Sequence, residues 1–412
     1  MVFGRHSSPA PDSHSRWLIA ALAFAASVNH VVGLALGPFL PLLADELGTS
    51  VALVGQVPSL SMLLAAILGL VIGPLADQFG HRRVLVLGLL SAVVSTLATA
   101  LAPNYLSLLM AVLIGAIGRA TVLPTAQAIA TARFQDAARR GAVGWITTGL
   151  SGAAVGGIPL LTIVAALAHW RVSFLMLGGL VLVSGLLLWR LVDDETAPRS
   201  DTRRIRDIFG AYAPLVHHRP TLIVAGGSLV GYTGMWAIWT YIAPLLVDRH
   251  GFGIQGVGGF YLATGAIALV ENILAGGPLS ARPRPLMVWS RLAGGLVIGV
   301  ALFAPLPGPV AVGLLALSGL SNAVNSVASV ILLTAESPAG RATTLTFNFS
   351  AQTFGVALGG GLGGLALALG VFDALGALAV ICVLSSAGLI WLSQGKIPAL
   401  APATPQGESQ PL

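Results

Sequence analysis

Charge is scarce in this chain. Of 412 residues only 21 are Lys or Arg and 15 are Asp or Glu, 9% in all, while 56% are hydrophobic. A soluble globular domain carries about 25% charged residues, so a large water-soluble domain is excluded. A membrane barrel is disfavoured as well, because its strands alternate apolar and polar residues over ~10-residue segments, whereas the apolar runs here are continuous.

Lysine occurs once, in Gly395-Lys396-Ile397. A phosphate-binding loop needs Gly-Lys followed by Ser or Thr, so ATP hydrolysis of that kind is excluded. Cysteine also occurs once, as Cys382, which rules out an intrachain disulfide and a multi-cysteine zinc site. The eight histidines show no metal-ligand spacing. Gly359-x-Gly361-x-x-Gly364 fits a dinucleotide fingerprint formally, but it lies in an apolar helix with no preceding strand and reads as close helix packing. No nucleophile stands with a base. Neither enzymatic activity nor a cofactor is expected.

What the chain has is long uncharged runs. No Asp, Glu, Lys or Arg falls between Arg16 and Asp45, or within 47–76, 141–170, 220–247 and 342–372. A charge at the bilayer centre costs about 2.5–3.5 kcal/mol on insertion scales, so these runs read as transmembrane helices. Twelve spans are expected, at 17–44, 51–76, 84–102, 104–128, 141–167, 172–190, 221–246, 254–276, 286–304, 310–334, 343–369 and 374–394. The polar residues 1–16 read as a cytoplasmic tail, 191–220 as a cytoplasmic linker and 395–412 as a second tail. With the amino terminus inside, 18 of the 21 basic residues, Arg291 counted among them, fall on the cytoplasmic side. The positive-inside rule then places both termini in the cytoplasm of a multi-pass inner-membrane protein. The +6 net charge is thereby explained without nucleic acid.

The linker divides the chain into 17–190 and 221–394, and the two parts repeat. Pro41-Leu42-Leu43-x-Asp45-x-x-Gly48 recurs as Pro244-Leu245-Leu246-x-Asp248-x-x-Gly251, offset by 203 residues. Gly73-Pro74-Leu75 recurs as Gly277-Pro278-Leu279, and Gly152-x-x-x-Gly156-Gly157 as Gly355-x-x-x-Gly359-Gly360, at offsets of 204 and 203. The fold class expected is all-α, twelve membrane helices in two pseudo-symmetric six-helix bundles, with a site between them.

The connection Gly73-Pro-Leu-Ala-Asp77-Gln-Phe-Gly80-His-Arg82-Arg83 resembles the signature loop of the major facilitator superfamily. Thr240-Tyr241-Ile242-Ala243-Pro244, Gly157-Ile158-Pro159 and His169-Trp170-Arg171-x-x-Phe174 are similar to its twelve-helix drug–proton antiporter and sugar-efflux branch. The resemblance implies a secondary transporter, with Gly73, Asp77, Gly80, Arg82 and Arg83 forming a gating motif that clamps the halves when the inner gate is shut. Two departures are visible. The branch's Gly-Pro-x-x-Gly-Gly stands as Gly152-Ala-Ala-Val-Gly-Gly157, and the span-four arginine appears at Arg119 rather than at Ala111.

Candidate solute and coupling residues are the polar groups inside the spans. His30, beside Asn29, Arg119 and Glu271 are ionisable at membrane depth. Such residues mark pathways or buried pairs, and Arg119 reads as an anion or relay site or as a partner of Glu271. Ser318, Asn322, Asn325 and Ser329 share one helical face, as do Asn348 and Gln352. Tyr232, Trp236 and Trp239 form an aromatic face. The expected function is proton-coupled efflux of a small drug-like or sugar-like solute by a monomer working through alternating access. The other reading is uptake or exchange of a small organic anion bound by Arg119. The partners are the solute, protons or another coupling ion, and lipid.

Overall fold

The structure, a computed structural model, describes residues 13–134, 136–192, 210, 212–275, 282–339, 341–369 and 372–393. Asp77 and Glu271 lie within helices, but their side chains are outside the described set. The linker 193–209, Gly277-Pro278-Leu279 and the terminal tails also lie outside it. Among the described residues there is helix and no strand, and ten helices are long and apolar enough to cross a membrane.

Six crossings make the first bundle: α1 (Ser13–Leu34, prolonged by the short segments Gly37–Phe39 and Leu40–Glu46), α2 (Val51–Phe79), α3 (His81–Ala100), α4 (Tyr105–Arg133), α5 (Asp136–Gly152, continued to Leu167) and α6 (Trp170–Leu191). Six make the second: α7 (Arg219–Thr240), α8 (Ile254–Ala275), α9 (Pro283–Phe303), α10 (Gly308–Glu336), α11 (Arg341–Ala368) and α12 (Phe372–Leu392). The helices begin where the sequence supplies a cap. Ser50 accepts from the Leu53 amide ahead of α2, and Asn104 and Ser107 form a reciprocal capping box ahead of α4. A π-helical turn at Ala153–Gly157 interrupts α5.

Two differences from the sequence reading matter. The first crossing does not run unbroken through 17–44: it breaks after Leu34 and resumes at Gly37. More important, α9 starts at Pro283 rather than 286, because proline suits the first turn, where its missing N–H is no loss. That start makes Arg291 the ninth residue of a 21-residue helix, with 0% exposure. Its assignment to the cytoplasmic side is therefore corrected: it is buried protein interior.

The repeat has a physical counterpart. Gly48 and Gly251, 203 residues apart, both adopt positive φ, 60° and 69°, the left-handed turn that glycine enters without strain. Just before them stand Glu46 and Arg249, at the same offset. Glu46 receives a two-nitrogen contact from Arg171 at the start of α6, at 2.7 and 3.0 Å, and the Trp170 indole also donates to it. Arg249 donates to Asp373 at the start of α12, at 3.0 Å. Each arginine also caps a helix carboxyl end: Arg171 binds the carbonyls of Ala100 and Ala102 beyond α3, and Arg249 that of Leu302 on α9. The two bundles are thus pinned at one rim by the same ion pair with its charges exchanged.

Arg171 makes the larger set of bonds, so Arg171→Ala is expected to lower the melting temperature of the purified protein more than Arg249→Ala. The exchanged pair Arg249→Asp with Asp373→Arg is expected to recover part of the loss seen on Arg249→Asp alone. Thermal unfolding in detergent checks both.

Candidate functional site

Arg119 is the fifteenth of the 29 residues of α4, at its midpoint. Its guanidinium turns back along the helix, donating to Ser61 Oγ of α2 and to the Val112 carbonyl at 3.0 Å. The aliphatic stem passes Gly33 of α1, where a Cβ would stand 3.5 Å from Cδ. Nε is buried with no acceptor. An arginine keeps its proton in any protein environment, and burying an unpaired charge is strongly unfavourable. Among the described residues no carboxylate lies within ion-pair distance of it; the ion pairs found there, Glu46 with Arg171 and His169, Arg249–Asp373 and Arg284–Glu336, sit at helix ends.

Asn29 packs beside Arg119, and His30 is its neighbour on α1. Asn29 Nδ2 donates to the Gly118 carbonyl at 3.3 Å, beside Arg119, and its Oδ1 is buried without a partner. His30 is half-buried.

In the second bundle, Tyr232 of α7 and Asn322 of α10 come together around Arg291, the residue that sequence reasoning missed. Its Nη1 donates to Asn322 Oδ1 at a long 3.4 Å, and Cζ lies 5.7 Å from the centre of the Tyr232 ring. Nε and Nη2 are buried with no acceptor. Gly231 makes the space, for a Cβ there would meet Cζ at 2.6 Å. The signal that could have found Arg291 was the Arg282-Pro283 dipeptide, which marks the helix start and so sets its depth.

The other polar stripe residues turn to neighbouring helices of their own bundle. Asn325 donates to Ser290 Oγ of α9 at 2.6 Å and to the Ser321 carbonyl. Asn348 and Gln352 of α11 both donate to Ser329 Oγ of α10, at 3.1 and 3.3 Å. Trp236 and Trp239 lie 6.3 Å apart with their rings tilted by 51°, and Trp239 meets Phe260 of α8 edge-on at 6.0 Å, forming an aromatic wall of half-buried indoles. Of the gating-motif residues, Gly80 bridges α2 and α3 at φ 93°. Arg82 lies over the Trp189 ring at 4.6 Å and donates to its carbonyl, and Arg83 is exposed. Gly73 and Asp77 are outside the described side chains.

The bundles meet at the end remote from the termini. Tyr241, fully buried at the end of α7, bonds the Gly360 carbonyl of α11 at 3.0 Å and reaches the Ala52 carbonyl of α2 at 3.4 Å. Gln56 of α2 donates to the Gly361 carbonyl at 3.0 Å. Glycines make this closeness possible: the Tyr241 ring occupies the place of a Cβ on Gly55, and Ser59 that on Gly360. On the second seam Thr162 of α5 seats against Gly258 of α8. Fourteen residues on from Gly55, close to the same helical face, Gly69 has open space where a Cβ would go. The hydrogen bonds that cross the seam lie at its remote end. A groove of about 510 Å³ flanks the closed part, lined by Leu53, Leu60, Leu358 and Leu362, and holds none of the site residues.

Gly55→Leu or Gly360→Leu is therefore expected to hold the remote end apart, lengthening the distance between spin labels at Thr49 and Gly253. Gly69→Leu, placed in open space, is expected to leave that distance unchanged.

A family model described as Major Facilitator Superfamily matches residues 20–345. The chain is 27% identical, over 71% of its length and 69% of the relative's, to the protein named Probable sulfoacetate transporter SauU of Cupriavidus necator. It is 28% identical, over 59% of its length and 58% of the relative's, to the chloramphenicol efflux pump Rv0191 of Mycobacterium tuberculosis. The crystal structure of the nucleoside transporter NupG matches with a TM-score of 0.74, over 91% of this chain and 98% of that one, at 17% identity, a likeness of fold.

Proposed function

This chain belongs to the Major Facilitator Superfamily, and on that premise we propose that it moves a small organic anion across the inner membrane by alternating access, with Arg119 holding the anionic group. It is a transporter of small solutes and not an enzyme. The observation that carries the anion reading is the mid-membrane guanidinium of Arg119, which meets hydroxyl and carbonyl oxygens but no carboxylate among the described residues. Such a charge is paid for most simply by a negative group on the solute. The likeness to a sulfoacetate transporter, whose named solute is a small anion, supports this.

Orientation follows from the basic residues flanking the helices, which put the termini in the cytoplasm. On that orientation the closed seam at Tyr241 and Gln56 seals the outer face and the crevice opens inward. Asn29 and His30 complete the Arg119 wall. Gly73, Asp77, Gly80, Arg82 and Arg83 act on the opposite gate, closing it when the outer seam opens.

Proton-coupled efflux of a drug-like compound is the second reading. The aromatic wall of Trp236, Trp239 and Phe260 favours it, as does the likeness to a chloramphenicol efflux pump. A flat apolar solute suits indole faces.

Thermal shift of the purified protein separates the two, since a ligand that binds the folded state raises its melting temperature by mass action. Sodium benzoate and sulfoacetate are expected to stabilise the wild type, and Arg119→Gln to abolish that shift. Stabilisation by chloramphenicol alone would replace the anion reading with the efflux one.

A further inference from the structure

The groove beside the closed seam holds none of the residues assigned to the solute or the gate. Its two walls come from different bundles: α2 supplies one and α11 the other, and the two helices pack against each other. The lining runs from Ala52 to Leu63 on α2 and from Ala368 back to Ala357 on α11, eleven residues in each case, or about 17 Å at 1.5 Å per residue. The spans themselves are Val51–Ile72 and Thr343–Ala368, so both walls start at the membrane boundary of the remote end. From there the groove descends through about half of a hydrocarbon core ~30 Å thick. Its length is that of one leaflet.

Its chemistry is that of hydrocarbon. Leu53, Leu60 and Leu63 on one wall and Leu358, Leu362 and Leu365 on the other are 36–62% exposed. The floor is shut. Gln56 donates to the Gly361 carbonyl, Gln56 and Tyr241 fill the place of a Cβ on Gly364, and Ser59 fills that on Gly360. Because Tyr241 behind this floor is fully buried, the groove opens away from the protein interior, toward lipid. Gly361 widens it, for a Cβ there would meet only Gln56 Oε1, at 3.7 Å.

We propose that the groove is a binding site for one acyl chain of a phospholipid in the leaflet at the remote end, and that the chain binds only while that end is closed. A phospholipid chain enters a leaflet at its boundary and runs inward for the same distance as these walls. Lipid tails are as apolar as leucine, so transfer into the groove brings no hydrophobic gain. The gain is dispersion, from two walls and a floor that touch the chain together. Parting the bundles at Gly55 and Gly360 separates the walls and removes that gain. A ligand that binds one state alone draws the equilibrium toward it, so the seated chain favours the closed remote end without touching Arg119.

Photolabelling tests this on the purified full-length protein in phosphatidylcholine nanodiscs. A fraction of the lipid carries a diazirine near the terminal methyl of its palmitoyl chain, and labelled residues are read by mass spectrometry. Leu60, Leu63, Ala357 and Leu358 line the deep end of the groove. Leu90 of α3 and Ile114 of α4 are exposed controls, ten and nine residues from the remote ends of their helices, as Leu60 is nine from that of α2. The groove is expected to be labelled roughly fivefold more than the controls, equivalent to about 1 kcal/mol. Gly361→Leu, which fills the groove, is expected to remove the excess while the Thr49–Gly253 distance stays unchanged. Gly55→Leu, which parts the walls and leaves every lining residue in place, is expected to remove it as well. Equal labelling of groove and controls in the wild type overturns the site, and so does an excess that survives Gly361→Leu. Labelling below the controls also overturns it and marks the groove as a contact between two copies of the chain. An excess that persists in Gly55→Leu at the lengthened distance overturns the dependence on closure. The wild-type comparison needs no variant to fold.

Discussion

An arginine cannot escape its charge by losing a proton, so a guanidinium at membrane depth commits the helices around it. They have to bring polar atoms to it and make room for its width. Around Arg119 this is done by the Ser61 hydroxyl, a helix carbonyl and the small residue Gly33. Around Arg291 it is done by Gly231, the Tyr232 ring and the Asn322 amide. Both groups are left partly unsatisfied: Nε of Arg119 and Nε and Nη2 of Arg291 are buried without an acceptor.

Duplication supplied the frame, and divergence supplied the chemistry. Backbone features agree across the repeat: paired positive-φ glycines at Gly48 and Gly251, and glycines in α5 and α11 that press against α1 and α7. Side chains at equivalent places do not agree. Asn29 faces Tyr232, Arg119 faces Asn322, and Gly88 faces Arg291 in the register of the two bundles. Chain geometry persists because close packing leaves a glycine at these turns and contacts no substitute.

The crossings, the two-bundle plan and the presence of Arg119 at membrane depth were legible because each is a contrast with an apolar background. A charge in the middle of an uncharged run stands out. Arg291 was hidden by company: Arg282 and Arg284 stand nearby, and a basic residue close to a helix end normally reaches the interface along its own flexible stem. Only the helix start at Pro283 shows that it is too deep for that. The polar stripe of α10 was placed on one face by periodicity, yet its members part company. Asn322 meets Arg291, Asn325 meets α9 and Ser329 meets α11. A period of 3.6 says which residues share a face, and only tertiary packing says which neighbour each one meets.

The exchanged ion pairs at the rim have a mechanical meaning. Glu46–Arg171 and Arg249–Asp373 each join parts of a single bundle, so neither straddles the moving boundary. Movement of one bundle against the other leaves these fasteners intact, and the hydrogen bonds that it breaks among the described residues, from Tyr241 and Gln56 to backbone carbonyls, are uncharged.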